Sequence, residues 1–281
     1  MKVVVTGATG LIGSRLIATL QTTHEVHAVA KRPPVASPHA KVSWLSIDLT
    51  SPSFPELLPA SADVAVHLAQ SPHYHDFPQQ ALDVFDVNVG STARLLDWGR
   101  RAGVQQFILA SSGAVASTIG PPSYYAAAKR SAEMLSDCYA TVFRVFVPRF
   151  FFVYGAGQRP GMLVPRLIDR IRSGDAVPVA PPDGPRMNPI HVSDAVRALT
   201  LAIERQVSGG FDIAGPEVLS VREMAVRIAQ RLGTTVRFRG EADQAAADVI
   251  GDISAMTTAL AAPECSFSQG LAELIPAMTR A

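Results

Sequence analysis

The sequence predicts an α/β protein in which a doubly wound parallel sheet is followed by a small α/β lobe. Two observations predict the sheet. Short apolar runs alternate with helix-length segments, and a three-glycine turn follows the first of these runs. A third observation predicts the lobe, because the alternation breaks at about residue 159, where prolines become frequent.

The first strand is predicted at Val3–Val5, since a β-branched run suits a strand that is buried on both faces. Gly7, Gly10 and Gly13 follow it and lead into a helix over residues 11–20. The first two glycines allow a tight turn and a close approach to a pyrophosphate, and the third lets the helix pack closely. The helix N-terminus favours phosphate oxygens. This segment therefore predicts a dinucleotide site in a Rossmann sheet.

The later elements follow from the same alternation. Strands are predicted at 24–30, 41–47, 63–69 and 106–112, with a further strand within 141–155, and helices at 81–103 and 124–140. Strands that alternate with helices form right-handed parallel crossovers. The dinucleotide-binding domain is predicted to comprise residues 1–158 and a returning segment at about 189–215.

The small lobe is predicted at about 159–188 and 216–281, and we expect it to bind the substrate. Two helices are expected to start at serine caps, one over 190–206 at Ser193 and one over 220–233 at Ser220. The segment 211–215 reads as a return strand, and the last forty residues are alanine-rich and predicted to be mostly helical.

Composition excludes several classes of function. The net charge of +1 and the 17% of charged residues provide no basic stripe, so nucleic acid is not expected as a partner. Cys138 and Cys265 lack CxxC partners, which argues against a disulfide scaffold or a zinc knuckle and fits a reducing compartment. The sequence has no apolar run of membrane-spanning length, and the N-terminus shows no leader pattern. We expect a cytoplasmic protein without membrane contact.

Tyr125 and Lys129 lie one helical turn apart and suggest proton transfer. An ammonium beside a phenol favours the phenolate, so we expect Lys129 to lower the pKa of Tyr125. Ser112, at the carboxyl end of the fifth strand, could hold a substrate oxygen. The structural alternatives are an aromatic residue at a helix interface, a solvated lysine and a turn serine.

These segments occur in an order that resembles the extended short-chain dehydrogenase/reductase family, which includes NAD-dependent epimerases and dehydratases. The resemblance runs from Lys2 to about Leu271 and includes TGATGLIG, HLA at 67–69, NVGST, SSGAV, YAAAK, RFFFVYGAGQRPG and NPIHVSDAV. It implies a catalytic set of Ser112, Tyr125 and Lys129. It also implies a nicotinamide dinucleotide, with Asp48 contacting the adenine. The residues expected to contact the cofactor are Gly7, Thr9, Gly10, Leu11, Ile12, Gly13, Lys31, Arg32, Asp48, Leu49, Leu68, Ala69, Asn88, Tyr125 and Lys129.

Family resemblance also implies hydride transfer at a secondary alcohol or ketone, most often at C4 of a nucleotide sugar, and a homodimer formed by the helices that hold Asn88 and Tyr125. We therefore expect an epimerase or ketoreductase. In the members of this family that dehydrate a sugar, an Asp-Glu pair directly follows the catalytic hydroxyl residue. Gly113 and Ala114 stand there in this chain, so dehydration is not expected.

Other departures concern the ligands. Ala30 replaces the acidic residue that selects NAD, and Lys31 and Arg32 follow it, which favours NADP over NAD unless they are only a solvated turn. Phe152 stands where nucleotide-sugar enzymes tend to have asparagine, which leaves open a reductase of a non-sugar ketone or aldehyde. A dinucleotide-binding redox sensor is a non-enzymatic alternative.

The candidate substrate contacts lie in loops and in the small lobe. They are His73, Phe152, Tyr154, Arg166 and Arg186, the arginines being candidates for an anionic group. His73 and His75 with Asp76 do not supply a convincing set of metal ligands, so no metal is expected.

Overall fold

A computed structural model of the chain describes residues 1–35, 41–116, 122–240 and 247–279. The chain divides into two compact units. The first unit comprises residues 1–149 and 196–211, and the second unit comprises residues 150–195 and 212–281. Each unit has its own buried apolar cluster. The prediction that the second unit binds the substrate remains a prediction.

The central sheet is parallel along most of its length, as predicted. Its strands are β1 Lys2–Thr6, β2 Glu25–Ala30, β3 Val42–Ser46, β4 Val64–His67, β5 Gln106–Leu109, β6 Ser111–Ser112, β7 Arg144–Phe150 and, further along the chain, Gly209–Ile213. In space the order is Gly209–Ile213, β7, β5, β4, β1, β2, β3, and β6 pairs with β7. This order confirms the doubly wound fold.

The strand order reverses at β1. Val3 lies beside Val26 of β2 on one side and beside Val64 of β4 on the other. Val3, Val4 and Val5 are all buried although successive side chains point to opposite faces, so both faces of β1 are covered and the run has no polar face. In such sheets the crevice beyond the carboxyl ends of the diverging strands is the usual place for a ligand. Thr6 and His67 mark that edge.

The helices of the first unit connect these strands. They are α1 Leu11–Leu20, α2 Ala81–Phe85, α3 Ser91–Arg101 and α4 Tyr124–Cys138. The single helix predicted over 81–103 is interrupted by a π-helical segment, Asp86–Gly90. Two hydroxyls follow it and donate to backbone carbonyls four residues earlier, Ser91 to Val87 and, at 2.8 Å, Thr92 to Asn88. Such π segments are frequent at functional sites.

The second unit contains shorter elements. Its strands are β8 Val177–Val179, β9 Arg186–Met187, β10 Gly209–Ile213 in part, β11 Leu219–Ser220 and β12 Phe238–Gly240. Its helices are α5 Leu163–Arg172, α6 Val192–Glu204 in part, α7 Val221–Leu232, α8 Ser254–Ala259 and α9 Phe267–Thr279. Residues 247–253 and 260–266 are not helical, and α8 and α9 make up the rest of the described part of the last forty residues, which are thus mostly helical as predicted.

The two predicted serine caps have different outcomes. Ser220 accepts from the Glu223 N–H at 3.1 Å, and Glu223 accepts from the Ser220 N–H at 2.7 Å, which is a complete capping box. The Ser193 cap was wrong because α6 already begins at Val192. Instead, the His191 ring accepts from the Ser193 N–H at 3.4 Å. Within the described ranges, no helix combines the length and apolar content needed to cross a bilayer.

Candidate dinucleotide and catalytic site

The glycine turn brings backbone against backbone at the end of β1. Gly7 has φ of +67°, and a Cβ placed on it would lie 2.7 Å from the Ala69 nitrogen and from the Leu68 carbonyl carbon. The Gly10 N–H donates to the Gly7 carbonyl at 2.9 Å and closes the turn. A Cβ on Gly13 would collide with that same carbonyl oxygen. The third glycine therefore lets α1 pack on the turn rather than on a strand.

The N-terminus of α1 is chemically suited to an anion. Gly10 precedes it in extended conformation, no side chain caps it, and its first turn contains no acidic residue. The first amide hydrogens of a helix have no carbonyl partners within it. Thr9 is exposed at this turn, and Leu11 and Ile12 begin the helix. Together with the close approach that Gly7 and Gly13 allow, these features fit a diphosphate.

Two residues predicted to contact the adenosine end of the cofactor contact each other. The Lys31 ammonium lies 2.7 Å from a carboxylate oxygen of Asp48. The hydrogen bond from Lys31 lowers the pKa of Asp48, and the Thr50 N–H and hydroxyl contribute at 3.1 and 2.8 Å. Arg32 is exposed, whereas Ala30 and Leu49 are buried.

A buried polar cluster lies beneath the turn. The His67 ring is within 2.6 Å of the Thr6 hydroxyl and 3.1 Å of the Ser91 hydroxyl. Burial lowers the pKa of His67 to about 3, so the ring is neutral. Asn88, in the π segment, accepts from the Ser71 N–H at 3.0 Å. Asn88 thus ties the π segment to the segment after β4, and its predicted contact with the cofactor remains a prediction.

The predicted catalytic residues come together in the first unit. Lys129 is buried on α4, with its nitrogen 6.0 Å from the centre of the Tyr125 ring. That ammonium donates to the Ala110 carbonyl at 2.9 Å. Ser112 follows β5 and accepts from the Ala114 N–H at 3.2 Å. Hydrogen bonding joins its side chain to the Tyr125 phenol.

The pKa of Tyr125 does not follow the sequence prediction. Burial raises it to about 12, and the hydrogen bond with Ser112 offsets only part of this effect. Burial also lowers the pKa of Lys129 to about 8, while the nearby Glu133 carboxylate acts in the opposite direction. The expected lowering of the Tyr125 pKa by Lys129 is therefore not found, and the ammonium is hydrogen-bonded to the Ala110 carbonyl instead.

The structure adds residues that the sequence analysis missed. The Tyr125 hydroxyl donates to the side-chain oxygen of Gln70 at 3.2 Å, and the Tyr74 ring lies 5.2 Å from the Tyr125 ring. The signal that could have identified Gln70 is its position directly after the fourth strand. Glu133 is buried one turn after Lys129 and binds Arg149 of β7. Only the fold brings these last two residues together.

In the first unit, the candidate substrate residue His73 lies in the segment after β4. The His73 ring is 3.0 Å from the Asp76 carboxylate, and the backbone N–H of His73 donates to the Ser71 hydroxyl at 3.0 Å. Across the described residues, there is no group of three or more His, Cys, Asp or Glu side chains that could hold a metal ion.

The other candidates lie in the second unit and are in different environments. Tyr154 is fully buried in the core of this unit, with its ring against His191 and Phe267, so a role in lining an open pocket is not supported. The Arg186 guanidinium binds Asp248 through two nitrogens at 2.9 and 2.7 Å, so its charge is already paired.

The remaining two candidates of the second unit are accessible. Arg166 is exposed on α5. Phe152 is 36% exposed and has φ of +45°. This left-handed conformation is unusual for a bulky residue, whereas asparagine adopts it readily. Such strained residues cluster at functional sites.

A family model described as the NAD dependent epimerase/dehydratase family matches residues 3–214. Among curated proteins, the chain is 26% identical to an uncharacterized UDP-glucose epimerase, YtcB, of Bacillus subtilis, over 89% of this chain and 90% of that protein. It is also 26% identical to a dTDP-glucose 4,6-dehydratase of an Actinoplanes species, over 98% of this chain and 97% of that protein.

Solved structures resemble the whole chain. MoeE5, solved in complex with UDP-glucuronic acid and NAD, is 29% identical with a TM-score of 0.85 and covers 100% of this chain and 99% of its own. A UDP-glucuronic acid 4-epimerase of Bacillus cereus has a TM-score of 0.87 at 22% identity, over 100% of this chain and 99% of its own, which shows the shared fold.

Proposed function

We propose, from the premise that this chain belongs to the NAD dependent epimerase/dehydratase family, that it is an NAD(P)-dependent epimerase or ketoreductase acting at C4 of a nucleotide sugar. The observation that carries the proposal is the grouping of Ser112, Tyr125 and Lys129 in the same compact unit as the glycine turn. The substrate class is supported by MoeE5, whose solved complexes contain UDP-glucuronic acid or UDP-glucose together with NAD.

The cofactor would be held along the carboxyl edge of the first unit. The glycine turn and the N-terminus of α1 would hold the diphosphate, Asp48 the adenosine end and Lys129 the nicotinamide ribose. Bound NAD(P) would supply hydride transfer at the reacting carbon.

The protein's own residues would handle the proton. At neutral pH Tyr125 is a phenol, because its pKa is about 12, and it is ready to donate a proton to a ketone oxygen. Ser112 would hold the same oxygen while negative charge develops on it. Oxidation of an alcohol needs the phenolate, which the charge of Lys129 would stabilise.

We also propose that this protein does not dehydrate its substrate, because the pair of acidic residues found in dehydratases is missing after Ser112. Relatives of this chain include dehydratases, so the distinction rests on Gly113 and Ala114, which follow Ser112 and carry no acid or base. Elimination of water from a sugar needs a group that protonates the leaving hydroxyl. We therefore favour redox chemistry at one carbon.

The deciding experiment incubates the protein with NAD or with NADP and, in turn, with UDP-glucuronic acid, UDP-glucose and dTDP-glucose, and follows the sugar by proton NMR. We expect the C4 epimer, and about 10²–10⁴-fold less of it per unit time with Tyr125→Phe. A 4-keto-6-deoxy product would instead identify a dehydratase. Unchanged turnover in Tyr125→Phe would exclude the proposed mechanism.

NADP is the proposed preference, supported by Lys31 and Arg32. The Lys31–Asp48 pair is exposed, and exposed pairs contribute only about 0–1 kcal/mol, so a 2′-phosphate could replace the carboxylate. Calorimetric titration should show that Arg32→Ala weakens NADPH binding and leaves NADH binding unchanged. Arg101→Ala, an exposed arginine at the end of α3, is the matched control. Equal effects on both dinucleotides would contradict the preference.

A reductase of a non-sugar ketone or aldehyde is the second candidate, and the exposed Phe152 favours it because an aromatic ring there offers no polar contact to a sugar diphosphate. NADPH consumption with simple ketones or aldehydes, together with no change in any nucleotide sugar, would support this candidate.

We also propose a homodimer. Exposed apolar side chains lie on α2 and α4 of the first unit, namely Leu82, Phe85, Met134 and Leu135. Contiguous exposed apolar side chains favour association. Light scattering should give about twice the chain mass, and Leu82→Glu together with Met134→Glu should give the monomer mass. A wild-type monomer would contradict this proposal.

A further inference from the structure

Gln70 is placed at the catalytic tyrosine without having an evident role in the fold. It lies three residues after the end of β4, beyond the carboxyl edge of the sheet, and its side chain is exposed. The Tyr125 hydroxyl donates to its side-chain oxygen at 3.2 Å. An exposed glutamine that contributes to the fold would be expected to bond to backbone or to its own loop. This one accepts from the phenol across 55 positions of sequence.

The direction of this hydrogen bond matters chemically. An amide oxygen is only an acceptor, so it pairs with the protonated phenol and has nothing to accept from a phenolate. Ser112 differs, since its hydroxyl can donate to the phenol oxygen and thereby favours the phenolate. In the observed contact the Gln70 oxygen therefore favours the phenol, whereas a donating Ser112 hydroxyl favours the phenolate.

The surroundings leave few other groups that could hold this proton. The Tyr74 ring covers one side of Tyr125 at 5.2 Å, and the Lys129 nitrogen lies 6.0 Å from the Tyr125 ring centre. Tyr74 from the segment after β4 and Lys129 on α4 are the ionisable groups described around the phenol. The Lys129 ammonium can only donate and Tyr74 contacts Tyr125 through its ring, whereas the Gln70 oxygen is the neutral acceptor to which the phenol donates.

We propose that Gln70 is a positioning residue for the reaction: its side-chain oxygen holds the phenolic proton of Tyr125, and the reacting substrate oxygen takes its place. The hydrogen bond between Gln70 and Tyr125 concerns the protein alone. The replacement of Gln70 by a substrate oxygen rests on the proposed function. A ketone oxygen that enters this place accepts the proton that Gln70 had oriented. The Gln70 amide hydrogens are then free to donate to a neighbouring oxygen of the same substrate.

The first test reads the hydrogen bond without activity. The chain has five tyrosines, so a protein labelled with ¹³Cζ-tyrosine has few resonances, and Tyr125→Phe identifies the one to follow. At neutral pH we expect Gln70→Glu to move this resonance towards that of tyrosinate, since a carboxylate is a stronger acceptor, and Gln70→Ala to move it the other way. Gln105→Glu, a charge change at an exposed glutamine at the opposite end of the sheet, should leave it unchanged.

The second test uses turnover. In Gln70→Glu the limb of the pH–rate profile that reports phenol ionisation should move to higher pH by about one unit or more, and in Gln70→Ala it should move to lower pH. An unchanged Tyr125 resonance in both Gln70 variants would overturn the proposal. If the resonance moves but no nucleotide sugar or ketone reacts, the proposed function fails while the placement of Gln70 stands. If the resonance moves and the profile does not, Gln70 has no part in the reaction.

Discussion

Glu133 and Arg149 form a two-point ion pair that ties helix α4 to strand β7. The guanidinium donates to both carboxylate oxygens, at 2.9 and 2.8 Å, and the Glu133 side chain is only 3% exposed. Helix α4 also contains Tyr125 and Lys129. The pair therefore holds the helix that bears the candidate catalytic residues against the sheet on which they depend.

Removal of Arg149 should destabilise the protein. In Arg149→Met the buried carboxylate would keep the bond from Arg130, at 3.1 Å, and the side-chain hydrogen bond of Ser111, but would lose both bonds from the guanidinium of Arg149. Leaving one partner of a buried pair uncompensated costs about 3–5 kcal/mol, and the partial exposure of Arg149 reduces this to roughly 2–3 kcal/mol. Urea unfolding followed by circular dichroism measures the difference. Arg130→Met is the matched control, since its exposed side chain should contribute about 0–1 kcal/mol. Equal losses in the two variants would show that burial of the pair is not the cause.

His67 should make stability depend on pH. Its folded-state pKa is lowered from 6.5 to about 3, because burial disfavours the charged ring. Below pH 6.5 the unfolded chain takes up a proton that the folded protein refuses, so stability falls as pH decreases from about 6.5 to about 3. Between pH 7 and pH 5 this single group should contribute a loss of about 2 kcal/mol.

The measurement for His67 is urea unfolding at both pH values. His67→Gln, which has no proton to gain, should lower stability at pH 7 and show a smaller further loss at pH 5. If the variant and the wild type lose the same amount between the two pH values, His67 is not the group responsible.

Lys129 should limit turnover at alkaline pH. Because burial lowers its pKa to about 8, the ammonium loses its charge as pH rises through that value. The support that this charge would give to a Tyr125 phenolate during the proposed reaction is lost with it. We expect kcat to fall above about pH 8. Lys129→Arg keeps a charge at all these pH values, so any activity it retains should show no such limb. An alkaline limb at the same pH in Lys129→Arg would assign it to another group.

Phe152 should be a strained position. Its φ of +45° is disfavoured for a bulky side chain, most of all for a β-branched one, and is tolerated by asparagine. Phe152→Asn should therefore be more stable than Phe152→Val by about 1–2 kcal/mol, although valine retains more apolar surface. Thermal unfolding of the two variants side by side gives the comparison. A more stable valine variant would mean that burial outweighs backbone strain here.

Much of the first unit could be predicted from local pattern. Helix α1 lies at Leu11–Leu20, where the sequence predicts it, because strand, glycine turn and helix start are encoded within a few neighbouring residues. Helix α4 begins at Tyr124, the first residue of its predicted range, with Ser123 as its cap. The positions of Tyr125 and Lys129 on one helix follow from their spacing alone.

What only the tertiary structure decided is which side chains meet. Lys31 binds Asp48, Arg186 binds Asp248 and Tyr125 binds Gln70, and each pair joins elements that the chain order separates. Strand register and helix packing set such distances, and neither can be predicted from the spacing of residues along one element. Burial decided the protonation state of the candidate catalytic tyrosine. The pKa of Tyr125 rises to about 12 because the folded environment disfavours a phenolate, even though a lysine stands one turn away.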